Sequence, residues 1–117
     1  MTSPDSLIQM SLLGEAVEDG PIGVLVADDN MRYIAANDYV CRMLGYDRIE
    51  LLRLRVTDVA QTPTAPDEYA EMIRTGVRFG TIDVTKKDGS TLEVNYRASE
   101  TSVAGMTLYV SVVWPAE

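Results

Sequence analysis

Asp88 and Gly89 stand between two segments, Val77 to Lys86 and Thr91 to Ala98, that are both rich in Val, Thr, Tyr and Ile. Strand-like runs separated by this pair read as a two-residue hairpin, which commits the chain from Val77 onward to antiparallel sheet. Met106 to Trp114 has the same β-branched and aromatic character and adds a further strand. Pro115 closes it, because proline has no amide to give to a ladder. Such a sheet has at least one face to bury, and the preceding residues must supply the cover.

Those residues read as helices and a second hairpin. Leu7, Ile8, Met10, Leu12, Leu13, Ala16 and Val17 recur at three- and four-residue spacings behind Ser3-Pro4-Asp5, a capping residue followed by a first-turn proline. A short amphipathic helix is expected there, ended by Gly20-Pro21. Ile22 to Ala27 is an apolar run too short for a helix and bounded by Asp28-Asp29-Asn30, so it reads as a strand buried on both faces, paired in a hairpin with Arg32 to Ala36. Asn37 caps a helix carrying Tyr39, Val40, Met43 and Leu44, and Gly45 stops it. From Asp47 to Val59 helical spacing gives way to extended chain near Arg53. Pro63 and Pro66 mark a loop, and Asp67 to Arg74 restarts a helix with Tyr69, Met72 and Ile73 on one side. The chain divides into an N-terminal helix over residues 1–20 and a domain over 21–117. The order predicts an α+β fold, a five-stranded antiparallel sheet with short helices on one face and an N-terminal amphipathic helix.

Composition excludes several functions. At 117 residues the chain has one domain's length, with 46% hydrophobic and 24% charged residues, as in folded proteins. Its net charge of −8 repels phosphate backbones and anionic membranes, so no direct nucleic-acid or membrane partner is expected. The lone Cys41 rules out an intrachain disulfide, and the absence of histidine removes the usual zinc and haem ligand and every Ser-His-Asp or Cys-His arrangement. No apolar run approaches the ~20 residues that span a bilayer, and no basic stretch precedes an apolar one as in a signal peptide. A reducing, cytoplasmic setting fits. Enzyme chemistry on a cupped α+β fold would fall to Asp83 or Tyr96. Asp83, however, has the solvent-side parity of its strand and no second acid or base accompanies Tyr96 inside. A non-enzymatic role is expected.

The ordered motifs resemble the PAS family of sensory domains from about Ile22 to Val113. Gly23-Val24-Leu25-Val26-Ala27-Asp28 is similar to its opening strand, and Arg32 to Asn37 to its second strand with the helix-capping asparagine. Leu44-Gly45-Tyr46, Glu50-Leu51-Leu52, and the stretch from Arg74-Thr75-Gly76 through Phe79 to Lys87-Asp88-Gly89-Ser90 follow in order. The chain departs from the pattern at Arg53, where glycine is common, and at its close, Val113-Trp114-Pro115-Ala116-Glu117, where Asp-Ile-Thr usually leads into a signalling helix. The resemblance implies a cup between sheet and helices that binds a small molecule or partner, and a change passed to an attached effector such as a histidine kinase or transcription regulator. It also bears on cofactors. The reactive cysteine of flavin-binding members corresponds to Val56, and their flavin-bonding asparagines and glutamine to Val84, Val94 and Val113. Three valines would leave a flavin's polar edge unpaired, at about 1 to 3 kcal/mol for each group. Neither a covalent flavin nor a His-ligated haem is expected.

The same resemblance, consistent with period two in every strand, puts Leu25, Ala27, Ile82, Val84, Leu92, Val94, Tyr96, Ala98, Tyr109, Ser111 and Val113 on the helix-side face, with Met43, Val56, Met72 and Ile73 opposite. Two readings compete. One is a pocket for a small apolar or aromatic ligand, with Leu25, Met43, Val56, Met72, Ile82, Val94, Tyr96, Tyr109 and Ser111 as candidate contacts. The other is a core filled by its own side chains, the default for an apolar face and the basis of a ligand-free protein–protein interaction domain. Tyr96, Tyr109 and Ser111 matter most in the first, since a buried hydroxyl can orient a carboxylate or carbonyl. The opposite face carries Val24, Val26, Phe79, Val110 and Val112, too much apolar surface for water. Either the N-terminal helix covers it, or two chains share it. The second is favoured, a homodimer built on Leu7, Met10, Leu13, Val17, Val24, Val26, Phe79 and Val112.

Overall fold

Asn37 shows how the local signals become tertiary structure. Its Oδ1 accepts from Val40 N at 3.1 Å, capping α2 (Asp38–Leu44), and from Val24 N at 2.9 Å in β1 (Gly23–Asp28). Gly45, with φ of 83°, adopts the left-handed conformation that ends α2, and its amide returns to Cys41 O. The computed structural model describes residues 4–60 and 77–116. Ahead of β1 runs α1 (Pro4–Glu18). After it come β2 (Tyr33–Ala36), α2, α3 (Arg48–Leu51), α4 (Val56–Val59), β3 (Val77–Thr85), β4 (Thr91–Val103) and β5 (Met106–Pro115). The five strands form one antiparallel sheet in the order β2-β1-β5-β4-β3. The last strand therefore lies at its centre, between the two hairpins.

The expected elements are present, with differences in detail. The stretch from Asp47 to Val59 is two helical turns joined by extended chain, in which Tyr33 N donates to Leu54 O at 3.1 Å and Val56 N to Met31 O at 2.8 Å. The turn at Asp88-Gly89 is not the two-residue form. Gly89 N donates to Lys86 O and Lys86 N to Ser90 O, and Asp88 Oδ1 accepts from Ser90 N at 2.9 Å. Lys87, Asp88 and Gly89 thus make a three-residue loop with Gly89 left-handed at φ 88°. This sets Val84 opposite Leu92 and Ile82 opposite Val94, whereas a two-residue turn would set Val84 against Glu93. The two-residue turn with both φ positive lies instead at Ala104 (φ 51°) and Gly105 (φ 79°), and β4 runs on past Ala98 to Val103. The loop around Pro63 and Pro66 and the helix over 67–74, with Tyr69, Met72 and Ile73, lie outside the described residues.

The core sits between the sheet and α2–α4. Val40, Leu44, Leu51, Val59 and Val94 are its largest fully buried side chains, each contributing about 1.5–3 kcal/mol by leaving water. In β1, Gly23, Leu25 and Ala27 are buried and the alternate residues half-buried, so the strand is not covered equally on both faces. Helix α1 is also not amphipathic in the expected sense. Leu7, Ile8, Met10, Leu12 and Leu13 project on all sides of it, each 55–66% exposed. No helix among the described residues is long and apolar enough to cross a membrane.

Candidate functional site

Strand parity alone places a row of small side chains under the helices. Ser111 of β5 pairs with Leu25 on one side and Ala98 on the other, and Ala27 lies one inward step along β1. Tyr96, the next inward residue of β4, lies beside Gly80 of the edge strand, where an added side chain would make only ordinary contact with the ring. A Cβ on Gly80 would stand 3.6 Å from Tyr96 Cε1. What remains above the floor of Ala27, Ala98 and Ser111 is a hollow of about 90 Å³. Val40, Met43 and Leu44 of α2, Val56 and Val59 of α4, and Ala60 roof it, and Leu25, Tyr33, Tyr96, Tyr109, Ile82, Val84, Val94 and Val113 complete the lining. Side chains fill most of the space, and a small apolar void is left.

Leu25, Met43, Val56, Ile82, Val94, Tyr96, Tyr109 and Ser111 are therefore brought together, and Met72 lies outside the described residues. Leu92 packs against the core and does not line the hollow. Tyr33, Val40, Leu44, Val59 and Ala60 join it without having been marked as contacts. Val40, Met43 and Leu44 share one helical face by their spacing, a signal that was legible. Tyr33 was not, because an irregularity between Val26 and Ala27 shifts the β1–β2 register and sets Tyr33 opposite Ala27.

The polar groups of the lining are few. Tyr109 Oη donates to Glu100 Oε1 at 3.4 Å. Burial, followed by the negative charges of Glu100 and Asp29, holds the Tyr109 hydroxyl above its ordinary pKa of 10.0. Cys41 is buried in α2 outside the lining, and desolvation raises its thiol pKa although Arg48 nearby acts the other way. Val84, Val94 and Val113 face the hollow and offer nothing to a flavin's hydrogen-bonding edge. Asp83 is exposed on the other face, opposite Glu93.

On that outer face Val24, Val26, Val110 and Val112 are half-buried, Trp114 is 38% exposed and Phe79 is 69% exposed. Leu7, Met10 and Leu13 are exposed and Val17 half-buried, so within one chain α1 leaves Phe79 uncovered.

The model of the PAS domain family matches residues 21–113. No curated protein sequence matches the chain significantly. Among solved structures, a PAS domain from a two-component sensor histidine kinase superposes with a TM-score of 0.84 at 16% identity, covering 95% of this chain and 99% of that one. The PAS domain of an HTR-like protein from Haloarcula marismortui gives 0.82 at 20% identity, covering 94% and 99%. That of nitrogen regulation protein NR(II) from Vibrio parahaemolyticus gives 0.77 at 12% identity, covering 90% and 98%. At these identities the structural likenesses speak for the fold alone.

Proposed function

The chain belongs to the PAS domain family, whose pattern it carries over residues 21–113, and on that premise we propose that it is a non-catalytic sensory and dimerisation module of a signal-transduction protein. A histidine kinase or a transcription regulator is the proposed context. A PAS domain from a sensor histidine kinase among the structural neighbours supports the first of these. The observation that carries the reading is the hollow of about 90 Å³ left among apolar walls beside the hydroxyls of Ser111, Tyr96 and Tyr109. A cavity of roughly 150 Å³ holds benzene or xenon. The proposed ligand is accordingly compact, a few apolar atoms or a single ring admitted when the half-buried, unbranched Met43 moves aside. Neither a covalent flavin nor a His-ligated haem belongs to this reading.

Signalling would proceed by population shift, the ligand favouring one packing of helices on the sheet. The exposed outer face and α1 are the proposed surface of a two-fold homodimer, with an attached effector or partner protein receiving the change. Cytoplasmic placement, away from nucleic acid and membrane, suits the net charge of −8 and the single thiol. Mass spectra of the purified protein under native and denaturing conditions test the ligand. A small molecule held in the first and lost in the second is the expected result. A bare chain in both, unmoved by small apolar probes, would favour the alternative, a ligand-free protein–protein interaction domain, which the nearly filled core supports.

A further inference from the structure

Helix α1 is tied to the rest of the chain through its last residues, by links of different kinds. The first is part-buried: Asn37 Nδ2 donates to Val17 O at 2.5 Å, and Asn37 is 6% exposed. The second is at the surface and rides on a different element. Arg48, the first residue of α3, donates from Nε to Ala36 O at 2.9 Å, at the end of β2. Its Nη2 donates to Asp38 Oδ1 at 2.8 Å, in the first turn of α2, and also to Glu18 Oε1 in α1. The same Glu18 oxygen accepts from Asp38 N at 2.8 Å. Arg42 of α2 reaches Asp19 as well, but at 3.3 Å and with both ends more exposed.

The far side of α3 is anchored. Leu51 is fully buried in the core, and Glu50 Oε2 accepts from Lys87 Nζ at 2.5 Å in the β3–β4 turn. α3 lends no side chain to the lining, but Asp38 at the start of the roofing helix α2 accepts from Arg48, so a displacement of α2 is felt at that guanidinium. We propose that the Arg48 guanidinium is the joint through which α2 and α3 set the position of α1, so that a shift in the helix layer reaches the exposed apolar helix without passing through the sheet. The side chains of Arg48, Glu18 and Asp38 are 44%, 42% and 49% exposed. Ion pairs so exposed are individually weak, which lets a small displacement make or break them. The planar fork, with donors aimed at several elements at once, is what an ammonium cannot reproduce. Only the choice of the helix layer as the moving part rests on the sensory reading.

Amide hydrogen exchange followed by NMR on the full chain tests the joint without any ligand, so its failure would leave the mass-spectral test of ligand binding untouched. Arg48→Met should speed exchange in the last turn of α1 and the residue after it, residues 15–19, by about three- to tenfold while β1, β4 and β5 keep their protection. Glu18→Met, which removes the acceptor and cuts the same joint from the other side, should do likewise. Met43→Ala, a perturbation of α2 from the hollow, should shift the amide resonances of residues 15–19 in the native chain but not in the Arg48→Met chain. Unchanged exchange at residues 15–19 would overturn the proposal. So would a rise spread evenly over the sheet, or a Met43→Ala effect that persists without Arg48.

Discussion

At the scale of single residues, Asn37 carries the largest polar responsibility. Besides accepting from Val24 N and Val40 N, it donates to Val17 O and to Ile22 O at 2.9 Å, while only 6% exposed. Truncation strands buried donors and acceptors, so Asn37→Ala is expected to cost about 2–4 kcal/mol in urea unfolding. Asn37→Ser, which restores only the cap, should recover about 1 kcal/mol of that loss. A cost for Asn37→Ala below about 1 kcal/mol would mean the other bonds are idle. The capping role was legible from Asn37 alone, since the residues it caps follow it directly. The bonds to Val17, Ile22 and Val24 were not, because only the closed fold brings those backbones to it. Ala104 is the converse case. Its φ of 51° suits Asn or Gly at the first position of a two-residue turn, and Ala104→Asn should raise stability by about 0.5–1 kcal/mol in the same assay.

At the scale of elements, the Asp-Gly hairpin shows what a motif fixes and what it leaves open. The side chain of Asp88 accepts from Ser90 N and Oγ, and Ser90 pairs with Lys86 rather than Lys87, so Lys87 joins the loop and lengthens it by one residue. The face assignment of Val84 and Val94 followed from alternation within each strand and held. The turn type depends on competition between side-chain and backbone acceptors, which spacing does not report. Gly89→Ala places a Cβ on a backbone at φ 88°. It should cost about 1 kcal/mol and lower the melting temperature by roughly 4–8 °C. Helix α3 is short and held by its cap. Glu50 Oε1 accepts from Asp47 N, and the hydrogen bond from Lys87, then that backbone bond, pull the Glu50 carboxyl below its ordinary 4.5. A depressed carboxyl contributes stability above its unfolded value and loses it as pH falls toward the folded one. Wild-type stability should therefore drop below pH 4.5 more steeply than that of Glu50→Gln, measured by urea midpoints across that range. Equal slopes would show that the pair with Lys87 is absent in solution.

At the scale of the molecule, one sheet separates two apolar surfaces with different prospects. The outer one, with Phe79 and Trp114, and the all-round apolar α1 remain uncovered in a single chain. A helix apolar on every side is stable in water only when something surrounds it. If a second chain does so, sedimentation should give twice the chain mass, and Met10→Glu with Leu13→Glu should return it to the single mass with the β-sheet spectrum intact. The class of fold and the parity of β1, β3, β4 and β5 were legible because alternation is imposed by burial on one face. That α1 would stand clear of its own sheet was not, since helical spacing records apolar content and not its partner. The inner surface holds the central claim. Titrating phenol into the protein while following side-chain methyl resonances tests it most directly. Saturable shifts at Leu25, Val94 and Val113, abolished when Ala98→Leu fills the floor, are the predicted result. Shifts confined to the outer valines, or none at saturating phenol, would contradict it.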